Sequence, residues 1–117
     1  MTRRTDRVAD ALQSLIAELL LREIKDPRIG LVTITGVRIS PDLRHARVFF
    51  STLGDADTHA QALAGLKSAA GYMRSQVARR LELRVTPQLD FEFDPSLEQA
   101  ERLSRLLKES VPSKGDS

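Results

Sequence analysis

A chain of 117 residues with 41% hydrophobic and 29% charged residues has the balance of one globular domain, long enough to bury a core without disulfides or a structural metal. The absence of cysteine excludes disulfide frameworks, thiolate chemistry and cysteine-ligated zinc, and no apolar run approaches the roughly 20 residues that cross a bilayer. A formal net charge of +2 says little by its size, so the expectation is a soluble, cytoplasmic monomer whose charge matters through its distribution.

Residues 6–24 place Val8, Leu12, Leu15, Ile16, Leu19 and Leu20 on one side and Arg7, Asp10, Gln13, Ser14, Glu18 and Arg22 on the other, which predicts an amphipathic helix. Thr5 or Asp6 can cap its start, and Asp26-Pro27 with Gly30 ends it. The charged exit from Arg22 to Arg28 reads as a solvated loop. Val32 to Ile39 is rich in β-branched residues and predicts a strand. Val32 and Ile34 share one face while Val37 and Ile39 fall on the other, so a bulge at Thr35-Gly36 is needed to bury both pairs together. Ser40-Pro41-Asp42-Leu43 supplies a turn, and Ala46, Val48 and Phe50 then alternate with His45, Arg47, Phe49 and Ser51 as the return strand of an antiparallel hairpin. Gly54 to Thr58 ends the hairpin and offers acceptors to the next helix.

From Leu63 to Leu81 the apolar residues Leu63, Leu66, Ala70, Met73, Val77 and Leu81 recur at helical spacing. Gly71 falls on the opposite side with Ala64, Ser68 and Ser75, a nearly bare face edged by Lys67 and Arg74 on one flank and Arg79 on the other. Glycine in a helix interior costs about 1 kcal/mol against alanine and favours a kink, so the sequence predicts a break at Ala69-Ala70-Gly71 dividing two helices. Residues 59–88 carry Lys67, Arg74, Arg79, Arg80 and Arg84 against Glu82 alone, a local charge of +4, whereas residues 89–117 come to −3. That concentration is what a phosphate-binding segment shows. Thr86-Pro87 returns the chain to extended geometry, and Leu89, Phe91 and Phe93 alternate with Asp90, Glu92 and Asp94 as a third strand. Asp94 with Pro95, or a Ser96/Gln99 capping box, starts a short last helix with Leu97, Ala100, Leu103 and Leu107. Residues 1–110 are expected to form a single domain and 111–117 a flexible tail.

His45 and His59, the only histidines, have no ligands at metal spacing, and the six glycines form neither a Walker loop nor a dinucleotide fingerprint. Asp90, Glu92 and Asp94 alternate with buried positions and read as the wet face of a strand rather than a catalytic cluster. No serine sits in a nucleophile elbow. The expectation is a protein without cofactor or metal that works by binding, not by catalysis.

The order helix, strand, strand, helix, helix, strand matches the KH fold of the second type, an α+β architecture with a three-stranded mixed sheet and helices on one face, here with a short C-terminal helix added. The GxxG loop of that fold is missing. Arg22-Glu23-Ile24-Lys25-Asp26-Pro27-Arg28-Ile29-Gly30, the Ala69-Ala70-Gly71 segment followed by Arg74, and Arg84-Val85-Thr86-Pro87-Gln88-Leu89 leading into Phe91 and Asp94 together resemble the ribosome-binding factor A family over about residues 6–108. In that family an alanine-any-glycine kink replaces the GxxG loop. The resemblance implies a bacterial assembly factor that binds the free 30S subunit, contacts 16S rRNA near its 5′ end and assists late maturation, including 5′-end processing, notably in the cold. On this reading Lys67, Arg74, Arg79, Arg80 and Arg84 contact phosphates, with Arg28, Arg44 and Arg47 as a second tier. The alternative is a protein-interaction module that docks on a ribosomal protein or another factor through the first or last helix.

Overall fold

Leu12, Ile16 and Leu19 are completely sealed from solvent. They lie on one stripe of helix α1, Arg3–Arg22, in the computed structural model, which describes residues 3–110. The helix begins three residues before Asp6. Thr5, expected as a possible cap, is instead buried inside it, because Thr5 and Ala9 continue the stripe toward the N-terminus at steps of four and three. At its other end the N–H groups of Glu23 and Ile24 both donate to the carbonyl of Leu19 at 2.9 Å, and Gly30, with φ +57°, completes the turn into the sheet.

Strands β1 (Val32–Ile39), β2 (His45–Thr52) and β3 (Gln88–Phe93) form one sheet in that order, with β2 in the centre. β1 and β2 pair antiparallel, and the register slips where Ile34 faces Phe50 but Gly36 faces Phe49, leaving Thr35 extra. The expected bulge is therefore present. Its effect is the expected one too, since Ile34 and Ile39 are both buried. In the connecting turn Asp42 Oδ1 accepts from Ser40 Oγ at 2.6 Å and from the Arg44 N–H at 3.0 Å, which holds Leu43 at φ +62°. β3 pairs parallel to β2, with Leu89 beside Ala46 and Phe91 beside Val48. A parallel neighbour needs a crossover, and helix α2, Ala56–Arg80, supplies it.

The segment read as two helices is one. α2 is helical through Ala69, Ala70 and Gly71, and Gly71 is not among the residues with positive φ. Its cost of about 1 kcal/mol is outweighed because the fully buried Leu66, Met73 and Val77 anchor the helix on both sides of it. Asp55 caps the start, accepting from the Thr58 N–H at 3.0 Å, and Glu82 at φ +48° ends it. α1 and α2 cover the face of the sheet that carries Ala46, Val48, Phe50, Leu89 and Phe91, and these residues share one core. The result is the α+β, KH-like arrangement expected, with three helices among the described residues.

Helix α3, Ser96–Ser110, starts as the first of the two expected alternatives. Asp94 accepts from the Ser96 N–H at 2.9 Å, while Ser96 Oγ turns back to the same carboxylate and Thr35 Oγ1 donates to its other oxygen at 2.8 Å. None of residues 96–109 is buried, so the leucine stripe expected of this helix is present but uncovered by the domain. The expected flexible tail, residues 111–117, lies outside the described residues.

Within α2 the glycine that the packing requires is Gly65. A Cβ there would lie 2.7 Å from Ile29 Cγ1 and 3.4 Å from both Asp26 Oδ2 and Arg28 Cβ, whereas one at Gly71 would meet nothing within 4 Å. The Arg22–Arg28 exit is thus not simply a solvated loop: its end is pressed onto α2, and Ile29 is buried. In chemical denaturation Gly65→Ala should lose about 1–3 kcal/mol through overpacking. Gly71→Ala should gain up to about 1 kcal/mol from helix propensity; a loss there would mean that the backbone at residue 71 is not ordinary helix.

Candidate nucleic-acid interface

The eight cations expected at a phosphate surface divide by whether the fold already holds them. The Arg28 guanidinium donates to Asp26 Oδ2 at 2.7 Å and to Ser68 Oγ at 3.1 Å. Arg80 reaches Glu23 Oε2 at 2.8 Å and Glu18 Oε2 at 3.3 Å. Arg74 donates to two main-chain carbonyls, Thr86 O at 3.0 Å and Pro87 O at 3.3 Å, and so ties the loop after α2 to the helix. Arg47 lies 3.8 Å from Glu92 across β2 and β3, and Arg44 4.0 Å from Asp42. Lys67, Arg79 and Arg84 are exposed, and among the described residues they have neither a hydrogen bond nor an ion pair. Of the candidates, these three carry charge that the fold does not use.

The paired residues build a polar seam between α1 and α2. Its order shows the helices to be antiparallel: going along the chain from Glu18 through Glu23 to Arg28, the partners on α2 run backwards through Arg80, Tyr72 and Ser68. Glu23 is the centre. Its Oε1 accepts from the Tyr72 hydroxyl and its Oε2 from Arg80, and these hydrogen bonds, Tyr72 first, hold the carboxyl below its ordinary range. Asp26 is lowered chiefly by its hydrogen bond from the Arg28 guanidinium.

On the far side of α2 from the core, helical spacing sets Ala64, Ser68, Gly71, Ser75 and Ala78 along one strip. Lys67 borders it on one side, and Tyr72 and Arg79 on the other. Gly71 is exposed, with open space where a side chain would be. The bare face read from the sequence is therefore a real surface, although an unbroken helix presents it. Arg84 follows in the loop after α2. Sequence reasoning missed the two residues that most constrain this region, Glu23 and Tyr72. Glu23 lies in the charged exit from α1 and Tyr72 on the outward side of α2, and only their convergence, 49 residues apart in sequence, distinguishes them from solvated positions.

Elsewhere the surface is occupied differently. Asp90 and Glu92 line the wet face of β3 as expected. His59 stacks on Phe93 at 3.9 Å, with its Nε2 3.1 Å from Glu98 Oε1, and among the described residues no three potential metal ligands cluster. Among the described residues no helix is long and apolar enough to cross a membrane.

A family model described as ribosome-binding factor A matches residues 4–107. The chain belongs to the ribosome-binding factor A family. It is 43% identical to the ribosome-binding factor A of Geobacter metallireducens over 115 residues, covering 98% of both chains. To that of Nitrosospira multiformis it is 48% identical over 110 residues, 94% of this chain and 87% of the other. Among solved structures, the crystal structure of ribosome-binding factor A from Thermus thermophilus superposes with a TM-score of 0.66 at 27% identity, over 75% of this chain and 93% of that one. A homology model of Thermus thermophilus ribosome-binding factor A, fitted into the cryo-EM map of a 30S complex, gives 0.59 at 26% identity, over 82% and 97% of the two chains.

The lowered folded-state value of Glu23 sets an expectation for acid. A carboxyl lowered on folding contributes stability that is present above its unfolded value and lost as pH falls through the folded one. Thermal unfolding should thus lose stability as pH drops from about 5 toward 3, and Glu23→Gln should flatten that decline. An unchanged slope would place the acid sensitivity elsewhere.

Proposed function

We propose that this protein is a non-enzymatic ribosome assembly factor that binds the free 30S subunit through 16S rRNA and assists its late maturation, including 5′-end processing. The observation that carries the reading is the exposed face of α2 with Lys67, Arg79 and Arg84 at its margins. These are cations that the fold leaves unpaired, beside a strip too small in side chains to hold a phosphate backbone away. A relative of 26% identity and the same fold has been fitted into a 30S complex, which supports the choice of partner.

The physics matches a stoichiometric role. Phosphate contacts position a protein on RNA without reading sequence, so selectivity comes from the shape of the subunit surface. Arg28, Arg74 and Arg80 act mainly from within: they fix the Asp26–Gly30 loop, the loop after α2 and the α1–α2 seam, and thereby the setting of the free cations. Arg44 and Arg47 lie on the hairpin, close to acidic partners, and make weaker anchors.

A second reading has its own observation. Leu97, Leu103 and Leu106 on α3 are 53%, 56% and 53% exposed, which is what a helix docking on a ribosomal protein would present. Salt separates the two readings, because apolar docking changes little with ionic strength while phosphate binding falls steeply.

Co-sedimentation with purified free 30S subunits over a salt series is the test. Reversing Lys67, Arg79 and Arg84 to glutamate together should weaken binding and reduce the salt slope by about 0.7–0.9 per lost phosphate contact, roughly 2–3 in all. Arg80→Glu, by contrast, should first lower the melting temperature, since it would set three carboxylates together in the seam. An unchanged slope in the triple variant would remove the α2 face from the interface.

A further inference from the structure

Tyr72 is the chain's only tyrosine, and there is no tryptophan. It is also the one exposed ring among the tyrosine and phenylalanine residues: Phe50 and Phe91 are in the core, Phe49 and Phe93 are half-buried, and Phe93 is further covered by His59. At 44% exposure the Tyr72 ring has no place in the hydrophobic core. Its hydroxyl, however, is not left to water. It donates to Glu23, whose second oxygen is held by Arg80 at 2.8 Å, and the same carboxylate pushes the Tyr72 phenol above its ordinary value, so the donor stays protonated. An exposed aromatic side chain normally samples several rotamers. This one is tied at its tip to Glu23, just beyond the end of α1, and the residue remains 44% exposed.

The surroundings say what such a ring can bind. Ser68 and Ser75, its neighbours one turn away on the side toward Gly71, are short, and the space over Gly71 is open. Arg79 lies seven residues on along nearly the same line of the helix, about 10 Å along the axis, and it is unpaired among the described residues. Lys67 is unpaired on the opposite border of the strip. A flat, oriented, uncharged ring between two free cations fits a ligand that alternates flat apolar groups with anions at intervals of several ångströms, which describes a single-stranded nucleic acid. The cations meet phosphates, and the ring meets a base, whose π face stacks whatever the sequence.

We propose that Tyr72 is a stacking platform for an unpaired RNA base, held in orientation by Glu23 and flanked by phosphate contacts at Lys67 and Arg79. The proposal rests on the RNA-binding reading above and adds to it the class of RNA recognised: a strand with an extruded or unpaired nucleotide, not a continuous duplex, whose bases are stacked on one another. Because loss of a stacking ring weakens single-strand binding by about 5- to 160-fold per base, the effect at one site is expected to be about tenfold or more.

The absence of any other tyrosine or tryptophan makes intrinsic tyrosine emission a readout of this residue alone. The full chain is titrated with single-stranded oligoadenylate of about eight nucleotides, within the range of single-strand site sizes, and with a strand of the same length and charge made of abasic ribose phosphates. Oligoadenylate should quench the emission and the abasic strand should not. Tyr72→Leu should bind oligoadenylate about tenfold more weakly and the abasic strand unchanged, while Tyr72→Phe, which keeps the ring and loses the tie to Glu23, should stay within about threefold of the parent. Circular dichroism of each variant verifies the fold, and the quenching of the unmodified chain stands independently should Tyr72→Leu not fold. If both strands bind with the same salt-dependent affinity and the emission does not change, the platform is overturned and the RNA reading survives. If neither strand nor the 30S subunit binds in a salt-dependent way, both fall.

Discussion

The contact between α1 and α2 is the constraint on which the rest depends. Two helices lying on one face of a three-stranded sheet have no covalent reason to take a particular spacing, and here the spacing is set at two points. At one, Gly65 lets the backbone of α2 approach the Asp26–Gly30 loop so closely that Ile29 fills the space a Cβ would take. At the other, Glu23 gathers Tyr72 and Arg80 from α2 onto one carboxylate at the end of α1. The first contact is steric and tolerates almost no change of volume. The second is electrostatic, largely exposed to water and screened by it, so it orients side chains more than it stabilises the fold.

This division of labour sorts the basic residues. A count of lysine and arginine along residues 59–88 treats five cations as equivalent, but the fold does not. Arg80 is neutralised by two carboxylates and Arg74 is spent on the carbonyls of Thr86 and Pro87, whereas Lys67, Arg79 and Arg84 are left with water. Counterion release on RNA binding is largest for cations not already neutralised by the protein. The internal pairs still matter mechanically, because they hold α2, the end of α1 and the loop after α2 together.

The last helix stands apart from this logic. α3 is attached through the Asp94 cap, the Thr35–Asp94 hydrogen bond and the approach of Glu98 to His59, all within its first turn, and its remaining turns carry leucines that the domain does not cover. Its amphipathic pattern is as regular as that of α1, yet the two helices have opposite fates. α1 finds a sheet face rich in Ile34, Ile39 and Val48. The outer sheet face, with Arg47, Asp90 and Glu92, offers a leucine stripe no comparable surface.

The sequence by itself determined most of the elements and their faces: the stripe of Leu12, Ile16 and Leu19, the slip in alternation that demanded a bulge at Thr35-Gly36, the alternating Leu89, Phe91 and Phe93, and a last helix starting at Asp94 or Ser96. Each of these is a local rule, in which periodicity or turn chemistry within about ten residues settles the outcome. What only the tertiary structure decided was which of several similar residues matter. Gly71 stood out in the sequence because it breaks a helical pattern, but helix α2 absorbs it, and the glycine of that helix with no room for a side chain is Gly65, whose partner Ile29 is 36 residues away. Glu23 and Tyr72 looked like ordinary solvated positions until two antiparallel helices brought them together. Pairing between groups far apart along the chain leaves no periodic trace, so the sequence could count the charges but only the fold could say which of them remain free.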